Sequence, residues 1–216
     1  MPIKIPQNLP ATGILEKEGV LLIQEDDAIR QDIRPLRIAL LNLMPKKVET
    51  ETQIARVLAG SPLQIEITLI ALTGYHPKNT SREHMLDFYR EWEEIKHEKF
   101  DGLIITGAPI EQLPFEQVVY WEELRRIFDW SKNNVHSVFN LCWGAQAALY
   151  HFYQIPKYQL SEKLFGIYSH KRNDSSSILL HGIDDKIQIP VSRHTENKHS
   201  DFLSLPHLEI LVESEE

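Results

Sequence analysis

The chain alternates between short apolar runs and longer amphipathic stretches. The apolar runs predict strands at 37–44, 63–72, 100–106 and from Val135 onward. The stretches that follow the first three runs predict helices at about 50–60, 80–95 and 116–132. Runs that are apolar on both faces are typical of strands buried in a parallel sheet. The alternation therefore predicts an α/β fold with a doubly wound, mostly parallel sheet.

Two capping boxes mark the expected starts of the first two helices. In each, a threonine is followed three residues later by a glutamine or glutamate, a spacing that satisfies free backbone amides at a helix start. These pairs begin at Thr50 and at Thr80. The second helix also carries an apolar stripe at three- and four-residue spacing, made of Met85, Phe88, Tyr89, Trp92 and Ile95. Such a stripe is typical of core packing, so we expect these residues to be structural.

The two ends of the chain differ from this alternating region. Residues 1–36 predict an N-terminal arm that packs on a single α/β domain at 37–216. After Tyr150, short β-like runs predict antiparallel strands added to the sheet, at 165–168, 178–180 and 187–189. A last strand predicted at 208–212 is followed by only four residues. We therefore expect C-terminal elements of this fold to be missing.

The segment Val135–Tyr150 contains the only cysteine, Cys142. Its first half is rich in strand formers and its second half in strong helix formers. The three residues between them, 142–144, are too few for an ordinary loop, so the cysteine is expected at a sharp turn between a strand and a helix. A lone cysteine is often a small buried residue. The turn favours a nucleophile instead.

A nucleophile at such a turn gains from the helix that follows it. The free amides and the dipole of a helix N-terminus stabilise a thiolate, and the same amides can bind an oxyanion. This arrangement is the nucleophile elbow best known for serine enzymes. Ligands of doubly wound sheets bind beyond the carboxyl ends of the strands. The segments at 44–47 and 106–109 are therefore expected near Cys142.

Composition narrows the possible functions. The chain of 216 residues has a formal net charge of −8, which argues against a nucleic-acid surface. A single cysteine excludes an internal disulfide and a cysteine-based zinc site, and no metal site is expected. The N-terminus lacks a signal-peptide pattern and no apolar run is long enough for a membrane span. These features predict a cytoplasmic enzyme with no membrane partner.

A catalytic cysteine also needs a base, usually histidine. His136 lies on the predicted strand before the elbow, from which its side chain cannot reach the turn. His194 and Glu196 have a spacing that a catalytic triad could use, but their segment is predicted to be a solvated loop. No phosphate-binding glycine motif is present, so a dinucleotide or ATP site is not expected.

Four segments closely resemble the homoserine O-acyltransferase family of methionine biosynthesis. They are the segments at 42–47, 100–109, 142–147 and 190–193. The resemblance extends over the whole chain. It implies a flavodoxin-like three-layer fold similar to that of class I glutamine amidotransferases, in agreement with the α/β prediction.

The resemblance also implies a mechanism and its residues. Cys142 would accept an acyl group from coenzyme A as a thioester, which the hydroxyl of L-homoserine then attacks. Lys163 and Ser192 would contact substrate. Lys46 and Lys47 follow the first strand and are expected either to contact phosphates of coenzyme A or to be a solvated pair. Acetyl-CoA would act as a co-substrate, with no bound cofactor.

In this family, glutamate at the position of Glu111 accompanies acetyl-CoA and glycine accompanies succinyl-CoA. A carboxylate in the acyl pocket would repel the free carboxylate of a succinyl group, which supports the same choice on physical grounds. The resemblance and this repulsion together predict a homoserine O-acetyltransferase.

The chain also departs from the family pattern. The family's catalytic histidine, its glutamate partner and a homoserine-binding arginine lie beyond residue 216, and Val191 stands where a histidine is expected. Two alternatives therefore remain: a ligand-binding or inactive remnant, and a cysteine hydrolase or amidotransferase on the same fold. A missing C-terminal layer would also expose apolar surface and favour self-association, for example as a homodimer.

Overall fold

The computed structural model describes residues 3–6, 8–23, 28, 33–75, 77, 79–173 and 177–214. They form two compact units, Met1–His151 and Phe152–Glu216. This division differs from the predicted arm at 1–36 and single domain at 37–216. None of the helices in the described residues is long and apolar enough to cross a membrane.

The first unit is built on a parallel sheet of seven strands. The strands are β1 (Ile3–Lys4), β2 (Leu22–Ile23), β3 (Leu36–Leu41), β4 (Ile65–Ala71), β5 (Tyr89–Glu91), β6 (Phe100–Ile105) and β7 (Val135–Asn140). Their order is β2-β1-β4-β3-β6-β7, and β5 pairs with the end of β4. All the pairings are parallel. The predicted parallel α/β sheet is confirmed.

Helices connect the strands of this sheet. They are α1 (Ala11–Lys17), α2 (Lys47–Leu58), α3 (Arg82–Phe88), α4 (Trp92–Ile95), α5 (Trp121–Asn134) and α6 (Trp143–Tyr153). A short 3-10 helix, Phe115–Gln117, precedes α5. The central strands are apolar on both faces because helices cover both, and Leu40, Leu103 and Ile105 are almost completely buried.

The N-terminal residues belong to this sheet. β1 lies between β2 and β4, with Ile3 opposite both Leu22 and Ile65. Leu15 of α1 is fully buried and joins the same hydrophobic core. The segment predicted as an arm therefore contributes two strands and a helix, because its few apolar residues are placed to fill the core.

Both capping-box predictions were wrong in position. Helix α2 begins at Lys47, three residues before Thr50, and the Thr50 hydroxyl donates to the Lys46 carbonyl at 3.2 Å. At the next helix, the cap is Ser81 and not Thr80: the Ser81 hydroxyl accepts from the His84 amide at 3.1 Å. A hydroxyl that bonds within the helix cannot mark its start.

The single helix predicted at 80–95 is interrupted. Helix α3 ends at Phe88, β5 adds Tyr89–Glu91 to the sheet, and α4 restarts at Trp92. Glu91 and Glu94 form a capping box that starts the second helix. The predicted core role of the stripe is nevertheless confirmed, since Tyr89, Trp92 and Ile95 are buried. An apolar period shows which face is buried but not whether the helix is continuous.

The second unit contains a separate antiparallel sheet. It consists of β8 (Tyr158–Arg172), β9 (Lys186–Glu196) and β10 (Val212–Ser214), in the order β10-β8-β9. The prediction that these strands extend the central sheet was wrong, because they pair with one another and form a sheet of their own. Ile178–Leu180 forms a 3-10 helix and not the predicted strand. Residues 208–211 are irregular, and the last strand is β10.

Helix α6 packs with its first turn directly on the end of β6. A Cβ atom at Gly144 would lie 2.7 Å from the Thr106 carbonyl oxygen and 3.0 Å from that of Ile105. Both neighbours are backbone atoms of the central sheet, which cannot move aside at small cost. Position 144 therefore requires glycine for close approach.

We expect Gly144→Ala to destabilise the protein by about 2 kcal/mol through overpacking. Gly13→Ala is the matched control, because Gly13 lies inside α1 with no atom within 4 Å of a Cβ placed there. This control should stabilise the protein by about 0.5–1 kcal/mol. Urea denaturation of both variants measures the two changes. Equal effects of the two substitutions would contradict the close approach of α6 to β6.

Candidate active site

Cys142 lies at the predicted sharp turn between β7 and α6. The strand ends at Asn140 and the helix begins at Trp143. Cys142 has a left-handed backbone with φ of 51°, which is uncommon for a residue other than glycine. The Gly144 amide donates to the Leu141 carbonyl at 2.9 Å and the Ala145 amide to the Cys142 carbonyl at 3.0 Å. The predicted elbow is confirmed, and its strained backbone is typical of functional turns.

Packing on both sides holds this turn in place. The Leu141 amide donates to the Ile105 carbonyl at 2.9 Å, which ties the turn to β6. Trp143 is fully buried, with its ring centroid 5.9 Å from that of Phe115 and 6.3 Å from that of Tyr120. The cysteine itself is exposed. The nucleophile candidate is therefore fixed by its buried neighbours and remains accessible.

The thiol lies against the backbone that follows β6. A Cβ atom at Gly107 would be 3.2 Å from Cys142 Cβ and 3.5 Å from Sγ. The next residue, Ala108, is buried and lines a cavity of about 310 Å³. The absence of a side chain at Gly107 thus leaves room between the cysteine and the loop that leads to this cavity.

The cavity lies at the carboxyl ends of β3 and β6, where ligands of doubly wound sheets bind. Its lining is mostly apolar and comprises Leu43, Met44, Pro45, Lys47, Tyr75, Pro77, Asn79, Ala108, Pro109, Ile110, Leu113, Gln117, Val118, Val119 and Tyr120. The predicted convergence of the 44–47 and 106–109 segments is confirmed. Glu111 is half-buried in the turn between Ile110 and Leu113, which both line the cavity.

A buried polar network supports one wall of this cavity. The Glu51 carboxylate accepts from the Tyr89 hydroxyl at 2.5 Å and lies 3.1 Å from His84 Nε2, all through its Oε1 atom. Its Oε2 atom is buried and has no hydrogen-bond partner within the described part of the chain. The Asn42 side-chain amide links Tyr89 to the Lys47 carbonyl at 3.3 and 3.2 Å. The network therefore joins the end of β3 to α2, α3 and β5.

Sequence reasoning missed this network. Its members come from three segments of the chain, and Tyr89 belongs to a stripe whose pattern indicates apolar packing. The available signal was the i,i+4 pair of Lys47 and Glu51 at the start of α2, because such a pair lies on one helix face. When that face is the buried one, the carboxylate needs buried donors.

Lys47 is the charged residue in the wall of the apolar cavity. Its side chain is 5% exposed and its ammonium donates to the Asn42 carbonyl. Burial lowers the pKa of Lys47 from its ordinary value of 10.5 to about 8, although the charge of Glu51 acts in the opposite direction. Lys47 is therefore not half of a solvated pair. Lys46, in contrast, is exposed and forms an ion pair with Glu49 at 3.0 Å.

Lys163 and Ser192 both lie in the second unit. Lys163 is on β8, with its ammonium 5.1 Å from the ring centroid of Phe165, and Phe165 is directly opposite Ser192 on β9. Because residues directly opposite each other share a face of the sheet, the ladder brings the two predicted substrate contacts to one exposed face.

The thiol has no bonded base within the described ranges. There, no histidine or carboxylate side chain forms a hydrogen bond with Cys142. His136 is exposed on β7, as expected. His194 and Glu196 lie on β9, and not in the predicted loop, because their segment pairs with the start of β8. The described residues also contain no cluster of three or more side chains suited to a metal ion.

The stability of the protein should rise with pH because of Lys47. Its pKa falls on folding from 10.5 to about 8, so between these pH values the unfolded chain binds more protons than the folded one. The cost of burying the charge is present below pH 8 and is lost above pH 10.5. Relative to Lys47→Met, the free energy of unfolding should therefore rise by about 3 kcal/mol across this range.

Urea denaturation of both proteins at several pH values measures this difference. Lys46→Met is the matched control, since Lys46 is exposed, and its difference from the unchanged protein should not vary in the same way. A pH-independent difference between the protein and Lys47→Met would show that Lys47 titrates normally.

Comparison with known proteins identifies the chain's family. Residues 2–216 match the model of the family described as HTS, homoserine O-succinyltransferase. Homoserine O-acetyltransferases from Hyphomonas neptunium, Allorhizobium ampelinum and Brucella canis are 58%, 57% and 54% identical to the whole chain. The matched region is 71%, 70% and 71% of those relatives' length, respectively.

A solved structure shows the same fold. It is that of a GMP synthase component from Thermoplasma acidophilum, with a TM-score of 0.52 and 15% identity over 84% of this chain and 74% of that one. At this identity the likeness shows the fold alone, which is that of the glutamine amidotransferases. The family model and the relatives show more: this chain belongs to the homoserine O-acyltransferase family, and its function is that of an acyltransferase.

Proposed function

We propose that the protein transfers an acetyl group from acetyl-CoA through a thioester on Cys142 to the hydroxyl of L-homoserine. The observation that carries this proposal is the exposed cysteine at the strained elbow, beside the cavity at the carboxyl ends of β3 and β6. The relatives named homoserine O-acetyltransferase support both the donor and the acceptor.

The reaction has two balanced steps. In the first, the Cys142 sulfur attacks the thioester carbonyl, the bond from carbon to the sulfur of coenzyme A breaks, and coenzyme A leaves as its thiol. In the second, the homoserine hydroxyl oxygen attacks the enzyme thioester, loses its proton to a base, and releases the cysteine. Dividing one acyl transfer into two such steps is what a covalent nucleophile achieves.

The amide of Trp143 is suited to stabilise the oxyanion of both steps. It is the first amide of α6, directly after the nucleophile, and the hydrogen bonds that close the turn come from the amides of Gly144 and Ala145. Amides at this position of an elbow are typical oxyanion donors, and each is worth about a hundredfold or more in rate. The dipole of α6 adds to the effect.

The donor is assigned through Glu111. A carboxylate close to the acyl group repels the second carboxylate of succinyl-CoA but not the methyl group of acetyl-CoA. Glu111 lies between two residues of the cavity wall, which is consistent with this role. The name of the family model refers to the succinyl donor, whereas the relatives from Hyphomonas neptunium and Allorhizobium ampelinum are named for the acetyl donor.

The remaining parts of the proposal concern the substrates and their setting. Lys163 and Ser192 would contact substrate from the exposed face of the β8–β9 ladder. The enzyme would act in methionine biosynthesis in the cytoplasm, with small-molecule substrates and no resident cofactor. A homodimer is compatible with the exposed apolar side chains of this ladder, Phe165 and Ile167, which are 74% and 72% exposed.

Acetyl-CoA should acetylate the protein once, on Cys142. The first step requires the thiolate and the donor, so it can be measured without homoserine by intact mass spectrometry. One added acetyl group is expected in the unchanged protein and none in Cys142→Ala, with a thioester that hydroxylamine removes. Acetylation that persists in Cys142→Ala would place the group elsewhere and contradict the proposed nucleophile.

Glu111→Gly should admit succinyl-CoA. We expect the preference for acetyl over succinyl transfer to Cys142 to fall by about 100-fold, because the opposing carboxylate is removed. Glu111→Gln separates charge from volume: it should give most of the same change although its side chain is of similar size. The initial rates of the two acylations, followed by mass, measure the preference. An unchanged preference in both variants would exclude Glu111 as the determinant of the donor.

A further inference from the structure

A second cavity lies next to the apolar one. Its volume is about 360 Å³, and it is lined by Pro10, Lys46, Lys47, Val48, Glu49, Asn79, Thr80, Ser81 and His84. Two residues, Lys47 and Asn79, line both cavities. The two spaces are therefore neighbours that share a wall, and the apolar one is the nearer to the loop that contacts Cys142.

The two cavities differ in chemistry. The lining of the first is mostly apolar. The second has two lysine side chains, the His84 ring and the hydroxyl groups of Thr80 and Ser81, with Glu49 as its one carboxylate among the lining residues described. In a protein with a formal net charge of −8, this is a local excess of cationic groups. Lysine and hydroxyl groups are typical ligands of phosphates.

The start of α2 adds a further feature that favours an anion. Its N-cap residue is Lys46, whose side chain does not cap this end of the helix. Amides at the N-terminus of a helix carry partial positive charge and are satisfied by a cap, by water or by a bound anion. Because α2 has twelve residues, its dipole is fully developed at this end.

We propose that the second cavity binds the phosphate-bearing end of the acyl-CoA donor, while the apolar cavity holds the pantetheine arm. This inference rests on the proposed function. An acyl-CoA has an apolar, flexible arm that ends in the thioester, joined to a nucleotide with several phosphate groups. The order along the protein matches: the exposed cysteine, then the apolar cavity, then the cationic one.

Lys46 and Thr80 are assigned to the phosphates. The ammonium of Lys46 is held by Glu49 at 3.0 Å in the free protein and would exchange this carboxylate for a phosphate. The Thr80 hydroxyl would donate a further hydrogen bond. Lys47, already bonded to the Asn42 carbonyl, would contribute its charge from the shared wall. Glu49 opposes the anion, which gives the proposal a prediction of opposite sign.

Binding of three ligands to the unchanged chain and its variants tests this assignment. The ligands are coenzyme A, dephospho-coenzyme A and pantetheine, measured by isothermal titration calorimetry at low and at high salt. Lys46→Ala should weaken coenzyme A by about five- to tenfold and leave pantetheine unchanged, because one phosphate contact is lost. Thr80→Val should weaken coenzyme A by about threefold. Glu49→Gln should strengthen coenzyme A by about threefold.

Lys96→Ala is the matched control. Lys96 is also exposed and pairs with a glutamate three residues away, Glu93, but it lines neither cavity. Its substitution should leave all three affinities unchanged. The salt dependence of coenzyme A binding should become shallower in Lys46→Ala and remain the same in Lys96→Ala.

Several outcomes would overturn the proposal. Equal affinity for coenzyme A and pantetheine would exclude a phosphate site anywhere on the chain. Equal weakening of both ligands by Lys46→Ala, or weaker coenzyme A binding in Glu49→Gln, would place the phosphates elsewhere. Failure of the proposed function has a different result: acetyl-pantetheine and acetyl-CoA would both leave Cys142 unmodified by mass, whatever their affinities.

Discussion

The contact between the first turn of α6 and the end of β6 is the constraint on which the candidate site depends. Gly144 lies against the carbonyls of Ile105 and Thr106, and Gly107 lies against the cysteine side chain. The two glycines let the helix begin directly after the strand, so Cys142 is forced into its left-handed backbone. The amides of the helix start and the cavity beyond Ala108 then lie on the two sides of the thiol. The chemistry of the site follows from this backbone contact.

A second constraint acts on the opposite wall of the apolar cavity. Lys47 and Glu51 lie one helical turn apart on the buried face of α2, where Asn42, Tyr89 and their hydrogen bonds hold them. Burying two opposite charges is costly, and the Glu51 oxygen that has no partner among the described residues adds to that cost. The network fixes the start of α2 relative to the end of β3. Both cavities share Lys47, so its position sets the boundary between them.

The parallel sheet and the elbow could be predicted because each leaves a local signal. Apolar runs identify strands, and the short distance between a strand former and a helix former fixes Cys142 at a turn. Features made by residues distant in sequence could not be predicted. The hydrogen bonds of Glu51 join residues 33 and 38 positions apart. The apolar residues of the N-terminal segment gave no indication that β1 inserts beside β4. Likewise, β8 and β9 show strand patterns but not which sheet they join.

The left-handed backbone of Cys142 implies a compromise between durability and reactivity. A side chain in this conformation is strained by about 1–2 kcal/mol relative to an ordinary backbone, and glycine would avoid most of that strain. The most stable residue for position 142 is therefore one that cannot accept an acyl group. Selection for stability alone would remove the thiol, and the fold keeps it only because its well-packed surroundings, with Trp143 at their centre, supply stability elsewhere.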